Sequence, residues 1–189
     1  MAQDWARRRQ GEDSHNITLK RRRIYILPTR PGIVFGALVF AMLLASLNYG
    51  ASLGFVMTFL LAGLGLLTMQ HCHNNLLGVR VHFAGADPVF AGTEAAFRIR
   101  IENATRSPRF DIVMSADGTA DGPVDLETGS SATLELRFEA RTRGWRSLPR
   151  FSIATQHPGN LFRAWTWIHM DARCLVRGIC IPAYRNPLV

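Results

Sequence analysis

The sequence predicts a membrane helical hairpin plus an all-β domain, in which two transmembrane helices are followed by an immunoglobulin-like antiparallel β-sandwich. Segment 31–79 contains no Asp, Glu, Lys or Arg. Two long apolar runs within it are divided by a turn-forming segment, and beyond it the apolar residues alternate with polar ones, as in strands. We expect four regions: a basic cytoplasmic leader (1–30), a transmembrane helical hairpin (31–73), a β-sandwich domain (77–181) and an irregular tail (182–189).

The two apolar runs are Ile33–Leu47 and Leu53–Met69, separated by Asn48-Tyr49-Gly50. As helices, each run reaches roughly 23–26 Å, close to the hydrocarbon thickness of a bilayer, about 30 Å. Asn and Gly tolerate the left-handed backbone that a tight reversal needs. Apolar side chains surround the first run on all sides, which argues against a buried hairpin of a soluble protein. A cleavable signal peptide is the alternative, although a second apolar run follows at once.

The distribution of charge predicts the orientation of the hairpin. Eight basic and three acidic residues precede the first apolar run. Because positive charge is retained on the cytoplasmic side, the leader is expected in the cytoplasm. A hairpin returns the chain to the same side, so the β-domain is also expected there. If only one span forms, the β-domain lies on the opposite side.

Charge and cysteine content narrow the class of protein. The net charge is +8 over 189 residues, and beyond Val79 fourteen basic residues face eleven acidic ones. Because most of the excess lies in the leader, we expect the lipid bilayer as a partner and no nucleic acid. Cys72, Cys174 and Cys180 form no Cys-x-x-Cys motif, and such a sparse, odd set is typical of a reducing compartment.

The segment after residue 78 reads as short strands. Alternation is clearest over 78–83, 96–102 and 133–139, with shorter candidates at 110–114, 124–126, 148–154, 162–169 and 173–181. Turn residues cluster between them, notably over 117–123 and 158–160. Regular short strands with intervening turns predict an antiparallel two-sheet sandwich. The Cys…Trp…Cys spacing of immunoglobulins is absent, so the term describes the architecture alone.

Residues that could carry chemistry are few. His71, Cys72 and His73 are candidate metal ligands, with His82 as a fourth, because imidazole and thiolate bind zinc or copper. Neighbouring residues of a helix project about 100° apart, which separates them. Segment 117–127 is rich in Asp and Gly but lacks the order of a calcium loop. We therefore expect no enzyme, no cofactor and no metal.

Five residues are candidates for an interaction surface: Arg143, Trp145, Arg163, Trp165 and Trp167. Large exposed apolar groups mark docking sites. The favoured interpretation is nevertheless core packing of the tryptophans, with one arginine stacked on an indole face.

Several segments in combination resemble one family of bacterial inner-membrane proteins. They are Arg23–Arg30, Asn48-Tyr49, Leu53-Gly54-Phe55, Thr58–Leu61, His73–Leu76, Gly78, Pro88–Gly92, Arg143-Gly144-Trp145 and Pro158–Trp165. The chain is similar over residues 22–176 to the family known as domain of unknown function 58, whose members are often encoded beside MoxR-type AAA+ ATPases. The resemblance implies a membrane hairpin, a cytoplasmic β-sandwich and a role in a MoxR-linked assembly, with no established enzymatic activity.

Residues 177–189 lose the resemblance, since such proteins usually continue into a longer C-terminal region. The chain therefore resembles a C-terminally truncated member. The leading functional hypothesis is a membrane-anchored non-enzymatic interaction module, accessory to a MoxR-type AAA+ ATPase or to other envelope-linked proteins. The alternatives are a metal-binding membrane protein that uses the His/Cys cluster, and a non-functional truncated fragment.

Overall fold

The computed structural model describes residues 16–140 and 142–178. Helix α1 is Arg30–Tyr49 and helix α2 is Ser52–Leu76. The strands are β1 Asn16–Thr18, β2 Tyr25–Pro28, β3 Val79–Ala86, β4 Val89–Phe90, β5 Glu94–Asn103, β6 Arg109–Ala116, β7 Thr119–Leu126, β8 Ser131–Glu139, β9 Gly144–Ser147, β10 Phe151–Thr155, β11 Phe162–Ile168 and β12 Arg173–Arg177. A short 3-10 helix, Arg21–Arg23, joins β1 to β2. The predicted order, two apolar helices before mostly antiparallel strands, is confirmed.

The two helices form a closely packed hairpin. Gly50 ends α1 in the left-handed conformation, with φ of 60°, as its position in the predicted turn requires. Small residues let the helices approach each other, because a Cβ added at Gly54 would lie 2.3 Å from Oγ of Ser46. Similarly, a Cβ at Gly65 would lie 3.1 Å from the ring of Phe35. The hairpin is therefore a defined unit rather than two loosely joined helices.

The strands form three sheets. Their orders are β1-β3-β5-β8, β2-β11-β10-β6-β7 and β4-β12-β9. All paired strands run antiparallel except β4 and β12. The predicted alternation of β8 is confirmed, since Leu134, Leu136 and Phe138 are buried. The largest fully buried side chains of the two larger sheets include Phe97, Ile99, Ile101, Leu136, Ile112, Met114, Phe151 and Ile153. These residues form the core of the β-domain.

Part of the segment predicted as a leader belongs to the β-sheets. Ile17 of β1 pairs with Val81 of β3, and Leu27 of β2 pairs with Arg163 of β11. The apolar side chains of Ile17 and Leu19 are buried in the core. Residues 16–28 therefore contribute to the domain that the sequence places after the helices. The remainder of the leader (1–15) and the tail (182–189) lie outside the described residues.

Several local expectations are corrected. The turn predicted over 117–123 is only two residues long, because Asp117 and Gly118 both have positive φ, 44° and 84°, and β7 begins at Thr119. Asp-Gly is the dipeptide that favours such two-residue hairpins. The candidate strand at 148–154 starts later, at Phe151, and the one at 173–181 ends at Arg177 within the described residues. Strands β1, β2, β4 and β9 are not predicted.

Candidate functional site

Large apolar side chains are exposed around both helices. They include Ile33, Val34, Leu38, Phe40, Leu44, Leu47, Leu53, Val56, Phe59, Leu60, Leu64, Leu66 and Leu67. Only 6% of the apolar window of α1 and 17% of that of α2 is buried, whereas a core helix of a soluble protein would be mostly buried. With 20 and 25 residues, both helices are long and apolar enough to cross a membrane.

The C-terminal end of α2 is joined to the β-domain by buried polar contacts. Asn75 is 4% exposed. Its Nδ2 donates to the carbonyl oxygen of Phe110 at 2.6 Å and to Oγ1 of Thr155 at 2.7 Å. Its Oδ1 accepts from the N–H of Phe110 at 3.0 Å. One helical side chain thus connects two strands, β6 and β10, to the helix.

Arg109 caps the same helix end. Its guanidinium donates to the carbonyl oxygen of Leu77 at 2.9 Å and also to that of Asn74. The last carbonyls of a helix lack partners within the helix, and a cation is favourable there. Burial lowers the pKa of Arg109, but an arginine remains charged at neutral pH. The strand β6 therefore holds the helix end through both its backbone and its first side chain.

The N-terminal end of α1 is held by a second contact. Thr29 is the N-cap, and its Oγ1 accepts from the N–H of Gly32 at 3.2 Å. The Thr29 hydroxyl also lies against the carbonyl oxygens of Asn160 and Leu161, while its N–H donates to that of Leu161 at 3.0 Å. A Cβ at Gly32 would lie 2.0 Å from the Leu161 oxygen. Both ends of the hairpin are therefore fixed to the β-domain.

The histidines and cysteine of the metal hypothesis point in different directions. His71 is exposed, whereas Cys72 is fully buried, with its Sγ 3.4 Å from the carbonyl oxygen of Phe162. His73 is half-buried, and His82 lies on β3 with its Nε2 3.4 Å from a carboxylate oxygen of Glu102. Among residues 16–140 and 142–178, no group of three His, Cys, Asp or Glu side chains could hold a metal ion.

The interaction candidates divide between two surfaces. Arg143 and Trp145 lie at β9, and Trp145 is 69% exposed. Trp145 pairs with Leu175 of β12, and Arg177 of β12 pairs with Phe90 of β4. Because directly paired residues share a face, Phe90, Trp145, Leu175 and Arg177 lie on the outer side of the small sheet, and the exposed Arg143 immediately precedes β9. We call Phe90, Arg143, Trp145, Leu175 and Arg177 the distal patch.

The distal patch lies at the end of the β-domain opposite the helices. Strand β3 leaves α2 at Val79 and runs to Ala86, a distance of about 23 Å for an extended strand, before β4 begins. The inner side of β12 is buried through Cys174 and Val176. Burial raises the pKa of the Cys174 thiol, and its Sγ lies 3.0 Å from the carbonyl oxygen of Asp87. The outer side faces solvent.

The other three candidates lie on β11, close to the helices. Arg163 pairs with Leu27 and Trp165 pairs with Tyr25, so the four side chains share the outer face of the sheet. The rings of Tyr25 and Trp165 stack with their centroids 6.0 Å apart. Tyr25 is 48% and Leu27 57% exposed. We call Tyr25, Leu27, Arg163 and Trp165 the proximal face.

Core packing is the wrong interpretation for Trp167, which is 38% exposed. The buried positions of β11 are instead Ala164, Thr166 and Ile168. The expected arginine–indole contact exists, since Cζ of Arg150 lies 4.6 Å from the centroid of Trp167. Trp165 is half-buried, and its ring lies against Tyr25 rather than in the core.

Sequence reasoning missed the residues that join the two parts of the molecule. Asn75 lies in the His73–Leu76 segment of the resemblance, but nothing in that segment indicated a contact with the β-domain, and Arg109 follows a turn cluster and carries no motif. No protein-family model matches the chain, and no curated protein matches it. The family resemblance therefore rests on the sequence motifs described above.

Proposed function

We propose that this chain is a membrane-anchored, non-enzymatic interaction module of the bacterial inner membrane. In this proposal the hairpin spans the bilayer, and the N-terminus and β-domain lie in the cytoplasm. The observation that carries it is the combination of two exposed apolar helices with a β-domain fixed to both of their ends. Fixed helix ends give the domain a defined orientation on the membrane, which suits the presentation of a surface to a partner.

We assign the docking role to the distal patch. Aromatic residues and arginine contribute most to protein–protein binding when they cluster, and Phe90, Trp145 and Leu175 provide the apolar centre. Arg143 and Arg177 provide its positive rim, and neither forms an ion pair within the described part of the chain. The complementary partner is an acidic surface of a cytoplasmic protein. The family resemblance suggests a MoxR-type AAA+ ATPase.

Membrane insertion is tested by carbonate extraction and by a reporter fused after Val189. The chain should stay with the vesicles after extraction, because nothing within residues 16–140 and 142–178 covers the apolar surface of the two helices. A fused reporter that works only in the cytoplasm should be active, and a fused reporter that works only in the periplasm should be inactive. Release of the chain by carbonate, or the reverse reporter pattern, would contradict the proposed topology.

Docking is tested by copurifying the full-length chain with a MoxR-type AAA+ ATPase. Trp145→Ala and Arg177→Glu should each reduce recovery of the ATPase at least tenfold. The first removes an apolar group at the centre of the patch, and the second reverses a positive charge at its rim. Arg106→Glu is the matched control, because it reverses the charge of an exposed arginine outside the patch. Equal recovery with all three variants would contradict docking at this patch.

A further inference from the structure

We infer that the proximal face binds the anionic phospholipid headgroups of the leaflet that the hairpin enters. This inference rests on the proposed insertion of the hairpin. It adds a second surface to the module, separate from the distal patch and of different ligand chemistry. The ligand is the phosphate of a lipid such as phosphatidylglycerol, held by Arg163 and by the basic residues that precede β2, beside interfacial aromatic rings.

The distance of the proximal face from the hydrocarbon core of the bilayer follows from the short connection between β2 and α1. Strand β2 ends at Pro28, and α1 begins at Arg30. Leu27 therefore lies at most about 10 Å from the first residue of the helix, because an extended residue spans about 3.3 Å. The headgroup layers add about 10–15 Å in total to the hydrocarbon core of a bilayer. Since each leaflet contributes about 5–8 Å of this, Leu27 and its partner Arg163 lie in the headgroup layer or at its outer surface.

The composition of the face fits this position. Tyr and Trp rings are enriched where the membrane meets water, and Tyr25 and Trp165 stack there. Leu27 is an apolar side chain that is 57% exposed on the edge strand of its sheet. Arg163 is exposed and can donate two parallel hydrogen bonds to a phosphate.

The positive charge of residues 16–30 indicates that an anionic lipid, rather than a protein, binds the proximal face. Within residues 16–30 the chain has five basic residues and no acidic one. Lys20, Arg21, Arg22 and Arg30 are exposed. Each basic residue near an anionic leaflet strengthens binding by about fivefold. The surface is also continuous with the apolar helices, whose own cover is lipid in the proposed topology. An anionic leaflet therefore accounts for both the apolar and the basic groups.

The test uses the full-length chain in nanodiscs of phosphatidylcholine, with or without phosphatidylglycerol. Spin labels are attached at Leu27→Cys, at Phe90→Cys and at Phe40→Cys. Phe90 is the matched control, since it is an apolar strand residue of similar exposure, 55%. Cys180 is replaced by serine in every variant, whereas Cys72 and Cys174 are buried and should not react.

The measured quantity is the collision rate of each label with a water-soluble nickel chelate. At position 27 we expect a rate at least threefold lower than at position 90, and a further decrease when phosphatidylglycerol is present. The variant R21Q/R22Q/R163Q should abolish that further decrease. The control R143Q/R146Q/R177Q carries the same charge change in the distal part of the β-domain and should leave it unaltered.

The possible failures are distinguishable. If the label at position 40 is accessible to the chelate, the hairpin is not inserted and the proposed function fails first. If position 40 is shielded but positions 27 and 90 are equally accessible, the proximal face does not contact lipid and this inference is overturned. If position 27 remains shielded in detergent, or if its shielding does not change with phosphatidylglycerol, the shielding comes from a protein contact and the inference is also overturned.

Discussion

Replacement of Asn75 by alanine should destabilise the junction between the hairpin and the β-domain. The side chain makes three hydrogen bonds of 2.6, 2.7 and 3.0 Å to two strands, and it is almost fully buried. A hydrogen bond contributes about 0.5–1.5 kcal/mol net, so the free energy of unfolding should fall by about 1.5–4.5 kcal/mol. For a protein of this size, that corresponds to a decrease in Tm of about 3–18 °C.

The assay is thermal unfolding of the full-length chain in a mild detergent, followed by near-ultraviolet circular dichroism. Asn74→Ala is the matched control, because the same substitution is made one residue away, where the side chain has only a weak contact of 3.4 Å to Gln70. The backbone oxygen of Asn74, which accepts from Arg109, is unchanged by it. If both variants lower Tm equally, the polar contacts of Asn75 do not hold the helix to the domain.

Three further outcomes are expected. Gly32→Ala should destabilise the chain by about 1–3 kcal/mol, because the added Cβ would lie 2.0 Å from a loop carbonyl oxygen. Gly36→Ala is the control, because a Cβ there meets nothing within 4 Å. Equal effects of the two variants in thermal unfolding would refute the close contact at Gly32. Phe97→Ala should lower the free energy of unfolding by about 3–5 kcal/mol, since the ring is fully buried. Trp145→Ala should lower it by less than about 0.5 kcal/mol, since that ring is exposed. If denaturant titrations give the larger decrease for Trp145→Ala, Phe97 is not the buried residue of the two. Cys174 should resist iodoacetamide until the chain unfolds. Because burial raises its folded pKa, its contribution to stability should be full below pH about 8.5 and decline above it, and Cys174→Ala should lessen that decline; unchanged pH dependence would contradict this.

The parts of the fold that the sequence predicts are those with a local physical cause. The hairpin follows from the absence of charge over 31–79, and its turn follows from a glycine that adopts positive φ. Strands β5 and β8 alternate over their whole length, because one face of each lies in the core. The short strands β4 and β9 have too few residues to show a period, so pattern reasoning missed them.

The candidate surfaces were predicted less completely. Sequence reasoning selected Trp145 and Trp165 as interaction candidates because large apolar groups, where they are exposed, mark docking sites. It could not separate them, although the structure puts them on different sheets of the β-domain. Phe90, on the same surface as Trp145, and Tyr25, the partner of Trp165, were missed, since each lies on a strand that pairs with residues more than eighty positions away.

The sequence by itself determined that two apolar helices precede a β-rich domain, because hydropathy and its period depend on residues that are near one another in the chain. The tertiary structure alone decided that residues 16–28 join the later sheets and that Asn75 and Arg109 fix the helices to that domain. These contacts connect segments distant in sequence. A hydrogen bond between a side chain and a remote backbone group produces no periodic pattern in the sequence from which it could be predicted. What a residue contacts across the fold is therefore settled by packing.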